Sequence, residues 1–109
     1  MSYRNMFYIV QPHFTLPNLL KLGRSKQIKK RLQVYRTICP TLCVVRLYRV
    51  QPKQEKAAIA YFMGLKGSQR VSQEMLEVED LNLFLSQADA YFGKKRKTTY
   101  AKDAPSRTK

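Results

Sequence analysis

Apolar residues recur along this chain in two rhythms, short unbroken runs and a helical spacing, and their order predicts a small mixed fold. Met6-Phe7-Tyr8-Ile9-Val10 is an aromatic and β-branched run that reads as a strand. Pro12 and Pro17 bracket a loop, and Leu19-Leu20-Lys21-Leu22 reads as a second strand closed by Gly23, which together make an antiparallel hairpin. Ser25 is a suitable helix cap, and Ile28, Leu32 and Tyr35 follow it at helical spacing among basic residues. Leu42 to Val50, after Pro40, is the best strand of the chain and long enough to be central. Pro52 opens a helix with an inward stripe of Glu55, Ile59 and Phe62, which Gly64 and Gly67 stop. Asp80 caps a last helix whose apolar face is Leu81, Phe84, Leu85, Ala88 and Tyr91, and Gly93 ends it.

The expected order is therefore β-β-α-β-α-α. The simplest closed arrangement is α+β: a three-stranded antiparallel sheet flanked by about three helices over residues 1–92, then a flexible basic tail over 93–109. No internal repeat interrupts it.

Charge changes the picture more than any other feature. Lys and Arg number 21 against 7 Asp and Glu, a net of +14. Residues 1–73 hold fourteen bases and one acid, Glu55; residues 74–92 hold five acids and no base; residues 93–109 hold seven bases and Asp103. So large a positive field favours a polyanion, and nucleic acid is the expected partner, DNA ahead of RNA. Arg24 just before the first helical segment, Lys26, Lys29 and Lys30 on it, and Lys94, Lys95, Arg96 and Lys97 in the tail, are the expected phosphate contacts. The tail cluster would also serve as a nuclear-import patch. The acidic segment 74–92 would face away from nucleic acid and offer a docking surface for a protein.

Other chemistries fall away. No apolar run reaches the roughly 18 residues that span a bilayer, so no membrane insertion is expected. The opening residues lack the apolar stretch of a secretion signal, and the expected location is intracellular, in cytoplasm or nucleus, or packaged in a virion. Cys39 and Cys43 have only His13 to join them, too few donors for a zinc site, and read as core thiols. Ser25 and His13 lack the acid of a catalytic triad. No small-molecule cofactor is implied.

The ordered set of residues resembles the GIY-YIG nuclease family, in the branch common in phages and large DNA viruses, over about residues 6–92. Tyr8 in Phe7-Tyr8-Ile9 matches the first signature tyrosine, and Lys21-Leu22-Gly23 stands at the second signature, where the viral branch often carries lysine. Arg31 lies eight residues beyond Gly23, Pro40 precedes the third strand, and Glu55 matches the metal-binding glutamate of the next helix. Phe7 replaces the first glycine of the family name, and Ile59 stands near the place of a histidine that often follows the glutamate.

The resemblance implies a catalytic set of Tyr8, Lys21, Arg31 and Glu55, with one Mg²⁺ or Mn²⁺ on Glu55. Arg31 would fork two phosphate oxygens, Tyr8 would orient or deprotonate the attacking water, and Lys21 would stabilise charge at the same phosphate. Each has a plainer reading: Glu55 in a salt bridge to Arg31 or Lys56, Tyr8 as a core tyrosine, Arg31 and Lys21 as solvated bases. Position supports Glu55 separately, since a carboxylate beside Ile59 and Phe62 is costly unless paired or metal-bound. Three functions follow. The first is a metal-dependent DNA endonuclease of low sequence specificity. The second is a non-catalytic module of the same fold within a virion or nucleoprotein particle. The third is a small ribosomal or other RNA-binding protein.

Overall fold

A computed structural model describes residues 5–13, 15–51 and 53–93 of the chain. The first strand, β1 (Met6–Gln11), is buried on both faces from Phe7 to Val10 and forms the axis of the fold. β2 (Leu19–Ser25) and β3 (Cys43–Arg49) pair with it antiparallel on either side. Between them lies α1 (Ile28–Ile38). α2 (Gln54–Met63) follows, then β4 (Ser68–Arg70), β5 (Met75–Val78) and α3 (Leu81–Phe92). The tail expected over 93–109, with Lys94, Lys95, Arg96 and Lys97, lies outside the described residues beyond Gly93.

The α+β class is as expected, but the sheet has five strands rather than three, in the order β3-β1-β2-β5-β4. β5 lies antiparallel to β2, with Leu20 opposite Leu76, and β4 lies antiparallel to β5. These strands leave a faint pattern because only Leu76 and Val78 of the pair are buried, while β4 has three polar residues. Leu42 to Val50 was expected at the centre, yet β3 lies at an edge. Its apolar run reflects burial on both faces, not a central place.

Strand alternation divides the core in two. Phe7, Ile9, Leu20 and Leu22 point to one face, where Ala58 and Phe62 of α2 and Phe84, Leu85, Ala88 and Phe92 of α3 cover them. Tyr8 and Val10 point to the other, against Leu32 of α1 and Val44 and Leu47 of β3. The first cluster is aromatic: Phe92 stacks on Tyr48 at 4.3 Å and packs on Phe7 and Phe62 at 5.3 and 5.9 Å. Fully burying side chains of this size contributes about 1.5–3 kcal/mol each.

Helix ends depart from the sequence reading in one case and match it in another. Ser25 closes β2 rather than capping α1, and its hydroxyl accepts from the Gln27 amide at 3.0 Å. Asp80 caps α3 through the Leu83 amide at 3.1 Å, and Gly93 ends that helix in the left-handed conformation with φ 66°. Tyr91, expected on the buried face of α3, is exposed, and Phe92 takes the inward place.

Two helix starts meet at one end of the sheet. Met6 stands opposite Ser25 on one side and Arg49 on the other, and α1 and α2 begin within a few residues of those positions. α1 starts on one face and α2 on the other.

Candidate nucleic-acid and catalytic site

Three elements, with Glu74 just ahead of β5, bring side chains together on the α1 face. Tyr8 leaves β1 across from Gly23 of β2, and its ring lies directly over that glycine. A β-carbon at residue 23 would collide with the phenol oxygen, so the strand carries glycine there instead of ending. The Tyr8 hydroxyl shares a hydrogen bond with the Tyr35 hydroxyl of α1 at 2.8 Å, and the rings meet edge to face at 6.0 Å. Lys21, two residues before Gly23 on the same face, places Nζ 5.5 Å from the Tyr35 ring centre and donates to Glu74 at 2.8 Å. Arg31, one turn before Tyr35, completes the group from α1.

The electrostatics follow from burial and partners. Burial first, then the bond to Tyr35, pushes the Tyr8 phenol well above the usual tyrosine range. Tyr8 is 1% exposed, so its proton stays in place at neutral pH. Buried and neutral, the phenol is bonded to Tyr35 rather than open to water. Arg31 is exposed, and its hydrogen bond to the Tyr35 side chain is the first cause that holds its guanidinium above the ordinary value.

Glu55 sits elsewhere at the same end of the sheet. It lies in the first turn of α2 and accepts from Arg24 Nε at 3.2 Å. Arg24 stands opposite Phe7, so its side chain leaves β2 on the α2 face, away from Tyr8 and Lys21. The guanidinium also donates to Asn5 Oδ1 at 2.8 Å. Both partners of the pair are about one quarter exposed (27% and 25%). The ion pair weighed from sequence thus exists, but with Arg24 in place of Arg31 or Lys56. Arg24, expected to meet phosphate, is tied to a carboxylate.

The remaining phosphate contacts divide by position. Lys26, Lys29 and Lys30 are exposed around the start of α1. With Ser25, Gln27, Arg31 and Val34, Lys26 and Lys30 line an open cavity of about 350 Å³. The acidic segment divides too. Glu74 joins Lys21, and Asp89 accepts from Arg46 at 3.1 Å and from the Tyr48 hydroxyl at 2.6 Å, while Glu77 and Glu79 remain exposed.

Tyr35 and Glu74 are members of the cluster that the sequence reading did not single out as site residues. Tyr35 had a signal, since it lies four residues beyond Arg31 and shares its helix face. Glu74 had none, because only the pairing of β2 with β5 brings residues 53 apart in sequence together.

Among the described residues, no group of three or more His, Cys, Asp and Glu side chains converges as a closed metal site would require. Glu55 suits a hard cation only in an open site, where one carboxylate is completed by phosphate oxygens and water. No family model matches this chain, and no curated protein or solved structure matches it.

Proposed function

We propose that the chain binds nucleic acid along the start of α1 and cuts DNA phosphodiester bonds there, as a GIY-YIG-like endonuclease of low intrinsic sequence specificity. The observation that carries this reading is the convergence of Tyr8, Lys21 and Arg31 around Tyr35. These residues fit the family's motif one by one and come from three different elements.

Glu55 would hold one Mg²⁺ or Mn²⁺, which when bound polarises the phosphate and stabilises the leaving oxygen. The protein's own part is positioning. Arg31 presents an exposed guanidinium to phosphate oxygens, supported from behind by Tyr35. Tyr8 fixes the Tyr35 hydroxyl and remains a neutral hydrogen-bonding phenol. Lys21 adds positive charge behind Tyr35, tempered by Glu74. Lys26, Lys29 and Lys30 track the backbone on either side and supply affinity without sequence reading.

A second reading has its own support. Glu55 is bound to Arg24, Lys21 to Glu74, and Tyr8 is shut from solvent. Side chains so fully partnered suit a non-catalytic nucleic-acid-binding module of a virion or nucleoprotein particle. Plasmid nicking with and without Mg²⁺ separates the two. The endonuclease reading expects Mg²⁺-dependent nicking that disappears in Glu55→Gln and falls at least about a hundredfold in Arg31→Ala. An inactive parent protein that still binds DNA would sink the first reading and leave the second.

A further inference from the structure

The exposed charges of this molecule are sorted between the two ends of the sheet. At the Met6 end, Lys26, Lys29 and Lys30 stand exposed around the start of α1, and Lys53 and Lys56 around the start of α2. Arg49, also exposed, closes β3 opposite Met6. Glu55, the acid of α2, is half-buried there and held by Arg24. Among the described residues, the exposed acids are Glu77, Glu79 and Asp80. They belong to the other end, since Glu77 pairs with Leu19, where β2 begins.

Bases gathered at one end repel one another in the bare protein and attract a polyanion. The start of α1 carries the phosphate contacts proposed above. Lys53 and Lys56 lie on the opposite face, because α2 packs on the Phe7 side of the sheet and α1 on the Tyr8 side. A sheet with a helix about 10–12 Å wide on each side keeps the two helix axes about 20 Å apart. Successive phosphates of one strand follow each other every 3.4 Å or so along the axis. A duplex carries a second backbone across a groove, about 12 Å wide on the major side. Two basic patches parted by a sheet layer therefore fit two rows of phosphates, and a single strand offers one.

We infer that Lys53 and Lys56 form a second phosphate-binding surface at the start of α2. A nucleic-acid duplex lies across the Met6 end of the sheet, one backbone on the start of α1 and the other on the start of α2. The inference rests on the nucleic-acid binding proposed above and is independent of cleavage.

The test uses the full chain without divalent ions and a labelled duplex of about 20 base pairs, with affinity followed against salt. Lys53→Gln and Lys56→Gln should each lower the salt slope by about 0.9, as should Lys29→Gln and Lys30→Gln. Lys66→Gln removes the same charge beside Glu79, at the other end, and should leave the slope unchanged. On a single strand of equal length, the two α2 variants should lose less than about half as much slope. Losses in the α1 variants alone would overturn the second surface and leave the α1 reading standing. An equal loss in Lys66→Gln would reduce the effect to net charge, and an equal loss on single strand would refute the straddled duplex. A parent that binds no DNA would remove this surface and the α1 reading together. A footprint on the unaltered protein needs no variant to fold. Bound duplex should slow acetylation of Lys53 and Lys56 several-fold and leave Lys66 unchanged, and unprotected Lys53 and Lys56 would overturn the inference.

Discussion

The two faces of the sheet are built from similar residues for different ends. On the α2–α3 face, phenylalanines and Tyr48 interlock, and the Tyr48 hydroxyl is matched by Asp89. On the α1 face, a smaller aliphatic cluster surrounds a phenol laid over a glycine and bonded to a second phenol. The first arrangement maximises apolar area removed from water. The second gives up area to fix hydroxyls and cations near the surface. The apolar bulk is concentrated on the α2–α3 face, while Tyr8, Lys21, Arg31 and Tyr35 gather on the other and Glu55 stands on the α2 side with Arg24.

The largest expected effect comes from the aromatic face. Phe62→Ala removes a fully buried ring that contacts Phe7, Phe84 and Phe92, and should cost about 3–5 kcal/mol in chemical denaturation. A loss below about 1 kcal/mol would break the division between the faces. Gly23→Ala comes next, because its β-carbon must displace the Tyr8 phenol. A cost of about 1–3 kcal/mol is expected, and combination with Tyr8→Leu should be clearly non-additive, because the smaller side chain relieves the collision. Additive losses would show that residue 23 is strained by its backbone instead. Tyr8→Phe should be mild, about 1 kcal/mol for the lost hydroxyl pair, since the ring and its packing remain. Glu55→Gln should also cost no more than about 1 kcal/mol, because its ion pair is partly exposed.

Alkaline pH sharpens the comparison from both sides. Tyr8 and Tyr48 are each held above the usual tyrosine range by burial, one on each face. The unfolded chain releases those protons near pH 10, earlier than the folded chain does. The fold therefore retains their contribution below about pH 10 and loses it as pH rises further. Melting temperature should hold up to about pH 10 and then fall. Tyr8→Phe and Tyr48→Phe should each flatten part of that fall.

The elements with strong local patterns were legible in the sequence: β1, the Leu32 face of α1, the Ala58 and Phe62 face of α2, and α3 with its Asp80 cap. Tyr8, Lys21 and Arg31 were singled out through the resemblance, and the fold brings them together around Tyr35. The pairing of Glu55 with Arg24 was not, because which face of β2 carries residue 24 depends on register, and Gly23 looked like a strand end until a ring lay over it. The β4–β5 hairpin was hidden for a related reason. Its stability comes from docking onto β2, so its own residues need little apolar character.

That docking bears on the order in which the chain assembles. β1, β2, α1 and β3 lie within the first half of the sequence and join by short connections. The β2–β5 ladder must wait for a segment more than fifty residues downstream, and Leu20 and Leu76 meet only when that loop closes. The three-stranded sheet expected from sequence is thus the portion that local contacts can form early. The outer hairpin is an annex that closes the longest loop of the sheet, and its ladder should form last. Lys21 is held by Glu74 only while the annex is closed, so the charge presented beside Tyr35 is set by a late-forming edge of the sheet.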